Sequence, residues 1–154
     1  MFGLFGSKKK KQPQFEHVTD DVLGEIYYDA PSWLGDMGFK LFGKTYNIEF
    51  KMDSENKEPV TAAQKESYKK IINNDTIVGE VEKVLRAQFP EEEFGCPVYE
   101  PMSLHFRPNG DCALIVYIGE EGGEDFGFAV NILPEVSFFG DEESYWSMVC
   151  FWDT

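Results

Sequence analysis

At 154 residues the chain is long enough to bury a single core, and 42% hydrophobic with 16% aromatic residues excludes a disordered chain. Its formal net charge of −14 excludes general nucleic-acid binding, because a body this acidic repels phosphate backbones. Cys96, Cys112 and Cys150 are too few and too widely spaced for a disulfide framework or a zinc knuckle.

Residues 1–16 read as a disordered basic tail, with Phe2, Leu4 and Phe5 ahead of the lysine run Lys8 to Lys11. The apolar stretch is too short to span a bilayer or to form a signal core, and the charges lie on the wrong side of it. One short patch beside lysines gives only marginal, reversible contact with an anionic surface, so stable membrane association is not expected. With no signal peptide, the expected compartment is the reducing cytoplasm, with the cysteines as free thiols. Beyond the first twenty residues the chain carries 10 basic against 26 acidic side chains, a balance of −16.

A first strand is predicted from Val22 to Asp29, closed by Ala30-Pro31. A hairpin follows. Phe39 and Leu41 alternate with Lys40, while Tyr46, Ile48, Phe50 and Met52 alternate with Asn47, Glu49 and Lys51. Gly43-Lys44 between them suits a type II′ turn, which places Leu41 opposite Tyr46 and Phe39 opposite Ile48. Thr61 to Gln64 reads as a capping box opening a helix that runs to Asn73-Asn74. A second helix, from about Thr76 to Gln88, carries Ile77, Val78, Val81, Val84 and Leu85 on one buried stripe, with Gly79 weakening its first turn.

The C-terminal half reads as strands. Met102, Leu104 and Phe106 alternate with Ser103, His105 and Arg107, and Asn109-Gly110 gives a type I′ hairpin signal. Cys112 to Ile118 is apolar on both faces, as a central strand is. After the acidic loop Gly119 to Asp125, Phe126, Phe128, Val130 and Ile132 mark another strand, and Tyr145 to Trp152 a last one. The order strands, two helices, strands predicts a single α+β domain over residues 17–154. Its sheet would be mainly antiparallel, of about five to six strands, with two consecutive helices (about 61–74 and 76–89) on one face.

Gly38 to Thr45 fits the spacing of a phosphate-binding P-loop, Gly-x-x-x-x-Gly-Lys-Thr. That chemistry needs a helix opening at the lysine so that backbone N–H groups cradle the phosphates. Here the residues on both sides alternate as strands, so the match is rejected and no nucleotide or other cofactor is expected. His105, on the more polar side of its strand, reads as a satisfied or solvent-facing histidine; His17 lies near the tail. No Gly-x-Ser-x-Gly elbow is present, and no cysteine has an evident base. No catalytic or metal-binding residue is therefore assigned.

The most distinctive surface feature is acidic. Glu120, Glu121, Glu124 and Asp125 surround Gly122-Gly123, and Asp141, Glu142 and Glu143 follow Gly140. Neither run has the ligand spacing of an EF-hand loop. They are candidate contacts for a basic protein partner.

From Phe39 to about Ile132 the chain resembles an uncharacterised bacterial domain family of unknown function. The resemblance rests on Phe42-Gly43-Lys44, the Thr61 to Gln64 helix start, the strand pair after it and the Glu121-Gly122 turn. Families of this size and acidity recur beside polymorphic toxins as immunity proteins, and the family has no active-site residues to carry over. The expectation is a non-enzymatic binding module that blocks a basic partner. The competing class is a small enzyme whose carboxylates do acid/base chemistry in a pocket not visible in the sequence.

Overall fold

A computed structural model describes residues 16–91, 97–119 and 125–152, with side chains up to Val149. Residues 1–15 of the predicted tail (1–16) and the loop carrying Glu120, Glu121 and Glu124 lie outside the described residues.

The chain forms one sheet of eight strands whose spatial order follows the sequence. β1 (His17–Asp20), β2 (Gly24–Asp29), β3 (Ser32–Leu41) and β4 (Lys44–Asp53) form one antiparallel meander. β5 (Val98–Phe106), β6 (Cys112–Gly119), β7 (Asp125–Leu133) and β8 (Ser137–Asp141) form a second. β4 and β5 join the two halves as a parallel pair, with Glu49 opposite Ser103 and Met52 opposite Phe106. Parallel neighbours require a crossover. Here it is a 3₁₀ turn (Glu55–Lys57), α1 (Ala62–Ile71) and α2 (Asp75–Gln88).

The α+β class, the mainly antiparallel sheet and the two consecutive helices agree with expectation; the sheet is larger, with eight strands rather than five to six. Two strands without predicted counterparts, β1 and β8, account for the increase, and two predicted strands differ in where they begin. The strand predicted from Val22 is β2 and begins at Gly24, because the Asp20 carboxylate accepts from the N–H groups of Val22 (2.8 Å) and Leu23 (2.9 Å) and turns the chain between β1 and β2. Burial opposes ionisation of Asp20, but the Lys65 ammonium at 2.8 Å and these two N–H groups prevail and hold its carboxyl below the ordinary value. The hairpin starts at Ser32, not Phe39: β3 runs through Gly35 and Gly38, which strand propensity disfavours. Gly35 is required because Phe50, opposite it, lays its ring where a Cβ would stand. β1 and β8 have no counterpart among the predicted strands.

The turn of that hairpin is shifted. Leu41 pairs with Lys44 and Phe39 with Tyr46, so Phe42-Gly43 forms the loop, with φ of +47° and +80° as type I′ requires. Phe42 is held in this unfavoured region by tertiary contacts. Its N–H donates to Glu82 (2.6 Å), and its ring lies 4.6 Å from that of Tyr99 and 4.6 Å from the Arg86 guanidinium. Moving the register by two leaves the period-2 stripe in phase, so the predicted faces survive. The second hairpin turns through Pro108-Asn109, closed by Gly110 N–H on Arg107 C=O at 2.8 Å, with Gly110 at φ +96°. Proline then glycine at those positions makes a type I turn rather than type I′.

α1 and α2 cover one sheet face. Val81 and Leu85 are fully buried there with Tyr68 and Ile71 against Phe50, Leu104, Phe106, Leu114 and Val130. Complete burial of such a side chain stabilises by roughly 1.5–3 kcal/mol. The capping box forms as expected: Thr61 Oγ1 accepts from Gln64 N–H (3.1 Å) and Gln64 Oε1 from Thr61 N–H (2.9 Å). Gln64 does a second job. Fully buried, its amide donates to the carbonyls of Asp53 (2.9 Å) and Phe106 (3.2 Å), the last residues of the parallel pair.

The C-terminal segment is the main correction. Glu142–Trp152 is a helix, α3, not a strand. Asp141 accepts from the Ser144 N–H (2.9 Å) and hydroxyl (2.8 Å), which lowers its carboxyl pKa and starts the helix. Tyr145 and Val149, one turn apart, are buried on the opposite sheet face against Ala113, Ile115 and Ala129. The apolarity of both faces of β6 follows from this second cover.

Gln64→Glu keeps the capping acceptor but removes both amide donors and brings a charge into the core. The expected loss is about 3 kcal/mol of unfolding free energy, measured in urea. A variant as stable as the parent would refute the tie between α1 and the parallel pair.

Candidate functional site

Two polar arrangements occupy the sheet face opposite α1 and α2. One is open and one is closed.

On the β2–β4 half, period-2 alternation sends Tyr27, Asp29, Leu34, Asp36, Glu49 and Lys51 to this face. α1 and α2 lie behind the sheet, and α3 stands over β7 and β8 and reaches this half only at Lys51, through Trp146; Leu34 is buried. Asp29 and Asp36 are exposed, Tyr27 and Glu49 half-buried. Asp36 sits directly opposite Glu49 in register, and neither has an ion-pair partner among the described residues. Like charges facing across strands destabilise a sheet. Burial together with the negative charges of Glu49, Asp29 and Asp36 raises the Tyr27 phenol above its ordinary pKa, so the three carboxylates form one field around it. The nearest cation on this face, Lys51, is drawn aside over the Trp146 ring at 5.1 Å.

The closed arrangement lies under α3. His105 Nε2 is 2.7 Å from Asp53 Oδ2 and its Nδ1 is 2.6 Å from the Tyr145 hydroxyl. Ser32 Oγ donates to Asp53 Oδ1 at 3.0 Å. A carboxylate only accepts, so Nε2 carries a proton toward Asp53 and Nδ1 accepts from the Tyr145 O–H. Burial pushes the Tyr145 phenol far above the ordinary tyrosine range, against the pull of the Arg107 guanidinium beside it. The Trp146 ring closes over the imidazole at 5.0 Å. His105 and Tyr145 are each 1% exposed, so neither presents a reacting atom to solvent. The chain satisfies its own members and pins α3 to the sheet.

The sequence places His105 on a polar strand face without a partner in view. It is a satisfied histidine, but a buried one, because Asp53 lies 52 residues away and arrives only through the parallel pairing of β4 with β5. The period-2 pattern of polar residues at Ser103, His105 and Arg107 is the one signal of it in the sequence.

Of the acidic contact candidates, Asp125 opens β7 opposite Gly119 and is exposed, as is Glu143 in the first turn of α3. Asp141 caps α3, as above. Glu142 accepts from the Trp146 indole N–H at 2.9 Å, and its charge, first among the causes, raises the pKa of the Tyr117 phenol it contacts. These two carboxylates thus have structural duties. Lys44, the lysine of the P-loop-like stretch, opens strand β4 with its ammonium 5.1 Å over the Tyr46 ring. Cys112 is buried, and burial raises its thiol pKa well above the ordinary value. Among the described residues no three His, Cys, Asp or Glu side chains converge as a metal site requires, and no helix is long and apolar enough to cross a membrane.

Fold and site together define an α+β protein with a sheet face half sealed by a helix and half left open and acidic. Comparison with protein-family models, with curated proteins and with solved structures finds no match.

Tyr145→Phe removes the donor to a buried imidazole nitrogen, and the expected cost is about 1–3 kcal/mol in urea unfolding. An unchanged midpoint would show that the phenol does not anchor α3. Asp36→Asn relieves the like-charge pair, so it is expected to stabilise the protein by a few tenths of a kcal/mol and to lower the Tyr27 pKa in ultraviolet titration. Destabilisation, with Tyr27 unmoved, would contradict the shared acidic field.

Proposed function

We propose that the protein is a non-enzymatic binding module that presents the open acidic half of its sheet to a basic protein, in the manner of an immunity protein that blocks a toxin. The observation that carries this reading is Asp36 opposite Glu49, neither with an ion-pair partner among the described residues. A sheet selected for stability alone would place opposite charges or a polar pair there; leaving two carboxylates around a tyrosine is tolerable where a partner supplies the cations. The face is built on paired strands, with half-buried Tyr27 among the carboxylates and Leu34 buried beside it. The net charge of −14 adds long-range attraction, which raises the association rate and makes it fall with salt. The sequence resembles an uncharacterised family of unknown function, and families of this size and acidity recur as immunity proteins, which supports this reading.

The competing reading, a small enzyme working through carboxylates, would have to draw on Asp53, His105 and Tyr145. Their burial weighs against it.

Affinity capture from bacterial lysate with the parent protein, an Asp36→Lys/Glu49→Lys variant and a Glu66→Lys/Glu80→Lys variant tests the proposal. The last changes net charge equally, on exposed helix positions. The expected result is a basic protein retained at low salt, released at high salt, lost at least about tenfold with Asp36→Lys/Glu49→Lys and kept with Glu66→Lys/Glu80→Lys. Equal loss with both variants, or no capture at low salt, would reject this face as the contact.

A further inference from the structure

Arg107 is the anomaly of the molecule. In a chain with twice as many acidic as basic residues, it forms no ion pair among the described residues, although it is half-buried. Its Nε is shut off from solvent and has no acceptor among the described residues. A half-buried cation ordinarily has a carboxylate beside it, and a buried N–H without an acceptor costs about as much as a broken hydrogen bond. One side of the guanidinium lies against Tyr145. Arg107 also lines an open depression of about 340 Å³ between the β5–β6 turn and the β7–β8 connection, where Pro134, Glu135 and Ser137 are solvent-exposed.

The rest of that depression is chemically specific. Asp111 and Glu135 line it, yet neither pairs with Arg107. Asn131 and Ser137, in register across β7 and β8, contribute an amide and a hydroxyl that are joined to each other at 3.3 Å. Leu133 and Pro134 supply the apolar wall. A cation and two carboxylates held apart around one small volume match a ligand that carries both charges. A dianion such as phosphate would face the two carboxylates; a bare amine would face the arginine.

From this arrangement we infer that the depression is a binding site for a small zwitterion of the α-amino-acid class. The carboxylate of the ligand lies on the Arg107 fork with the Asn131 amide as a further donor, and its ammonium lies toward Asp111 and Glu135. A volume of about 340 Å³ is at the small end of ligand pockets and suits such a molecule. Ligand charge on Arg107 is transmitted to the Tyr145 phenol it touches and so to the helix that seals the sheet.

The test uses the ¹⁵N-labelled full chain, following the Arg107 Nε–H and Asn131 side-chain signals at constant ionic strength. Glycine and L-alanine are titrated beside acetate and methylammonium, which each carry half of the recognised chemistry. Saturable shifts of both signals are expected with the amino acids, with acetate and methylammonium at least about tenfold weaker. Arg107→Gln should abolish the shifts, but it also disturbs Tyr145. The combined Asp111→Asn/Glu135→Gln variant leaves the buried chain intact and should weaken L-alanine at least about tenfold without weakening acetate. Linear, unsaturating shifts for every probe would overturn the site. Acetate binding as tightly as L-alanine, or L-alanine unaffected by the carboxylate variant, would overturn the zwitterion assignment.

Discussion

The parallel pairing of β4 with β5 is the joint on which the structure depends. Each half of the sheet is a simple meander that local turns can build, but nothing local brings residue 53 beside residue 105. The crossover that permits the pairing is the helix pair itself, so forming the joint and covering the sheet are one event. Its two faces are then fixed by two side chains. On the helix side, Gln64 reaches both strand ends; on the other, Asp53 meets His105. α1 also grips the β5–β6 turn, through Thr61 on Pro108 C=O (2.7 Å) and Ser67 on Gly110 C=O (2.6 Å). A Cβ at Gly110 would meet the α1 backbone, which adds a steric reason for glycine there to the conformational one.

What the sequence reveals and what it hides follow the range of the interactions. The capping box, the α2 stripe and the in-phase strands rest on contacts within a few residues, and all are legible in the sequence alone. α3 is not, because Tyr145, Trp146, Val149 and Phe151 are residues that favour strands, and the Asp141 to Ser144 cap that outweighs them is a two-residue signal. β3 is hidden in its first half for the opposite reason: Gly35 and Gly38 weaken the local signal, yet the Phe50 ring needs the space above Gly35. The Phe42-Gly43 turn shows tertiary contact overriding a local preference, with Glu82 and Arg86 of a distant helix selecting the loop.

The candidate site is legible only as charge. Acidity suggests a basic partner, but the sequence draws attention to the glycine-flanked runs, and two of their carboxylates, Asp141 and Glu142, turn out to hold α3 in place. The acidic surface that has no structural duty is spread over Asp29, Asp36 and Glu49, which belong to three different strands and look like ordinary polar positions of alternating segments. Only the register of β3 against β4 makes Asp36 and Glu49 a pair.

α3 therefore sets the division of the sheet face. Small residues, Ala113 and Ala129 with Gly127 beside them, let the helix approach β6 and β7 closely, and Trp146 extends the cover as far as Lys51. Beyond that tryptophan no helix covers the face among the described residues, and Asp29 and Asp36 are exposed on it. The cation best placed to neutralise it is taken up by the indole, so the same residue that seals the buried half keeps the open half acidic. Protein stability would be served equally well by Lys51 lying over Glu49. Its placement on Trp146 instead links the docking of α3 to the charge of the exposed sheet: loosening α3 would release a lysine beside Glu49.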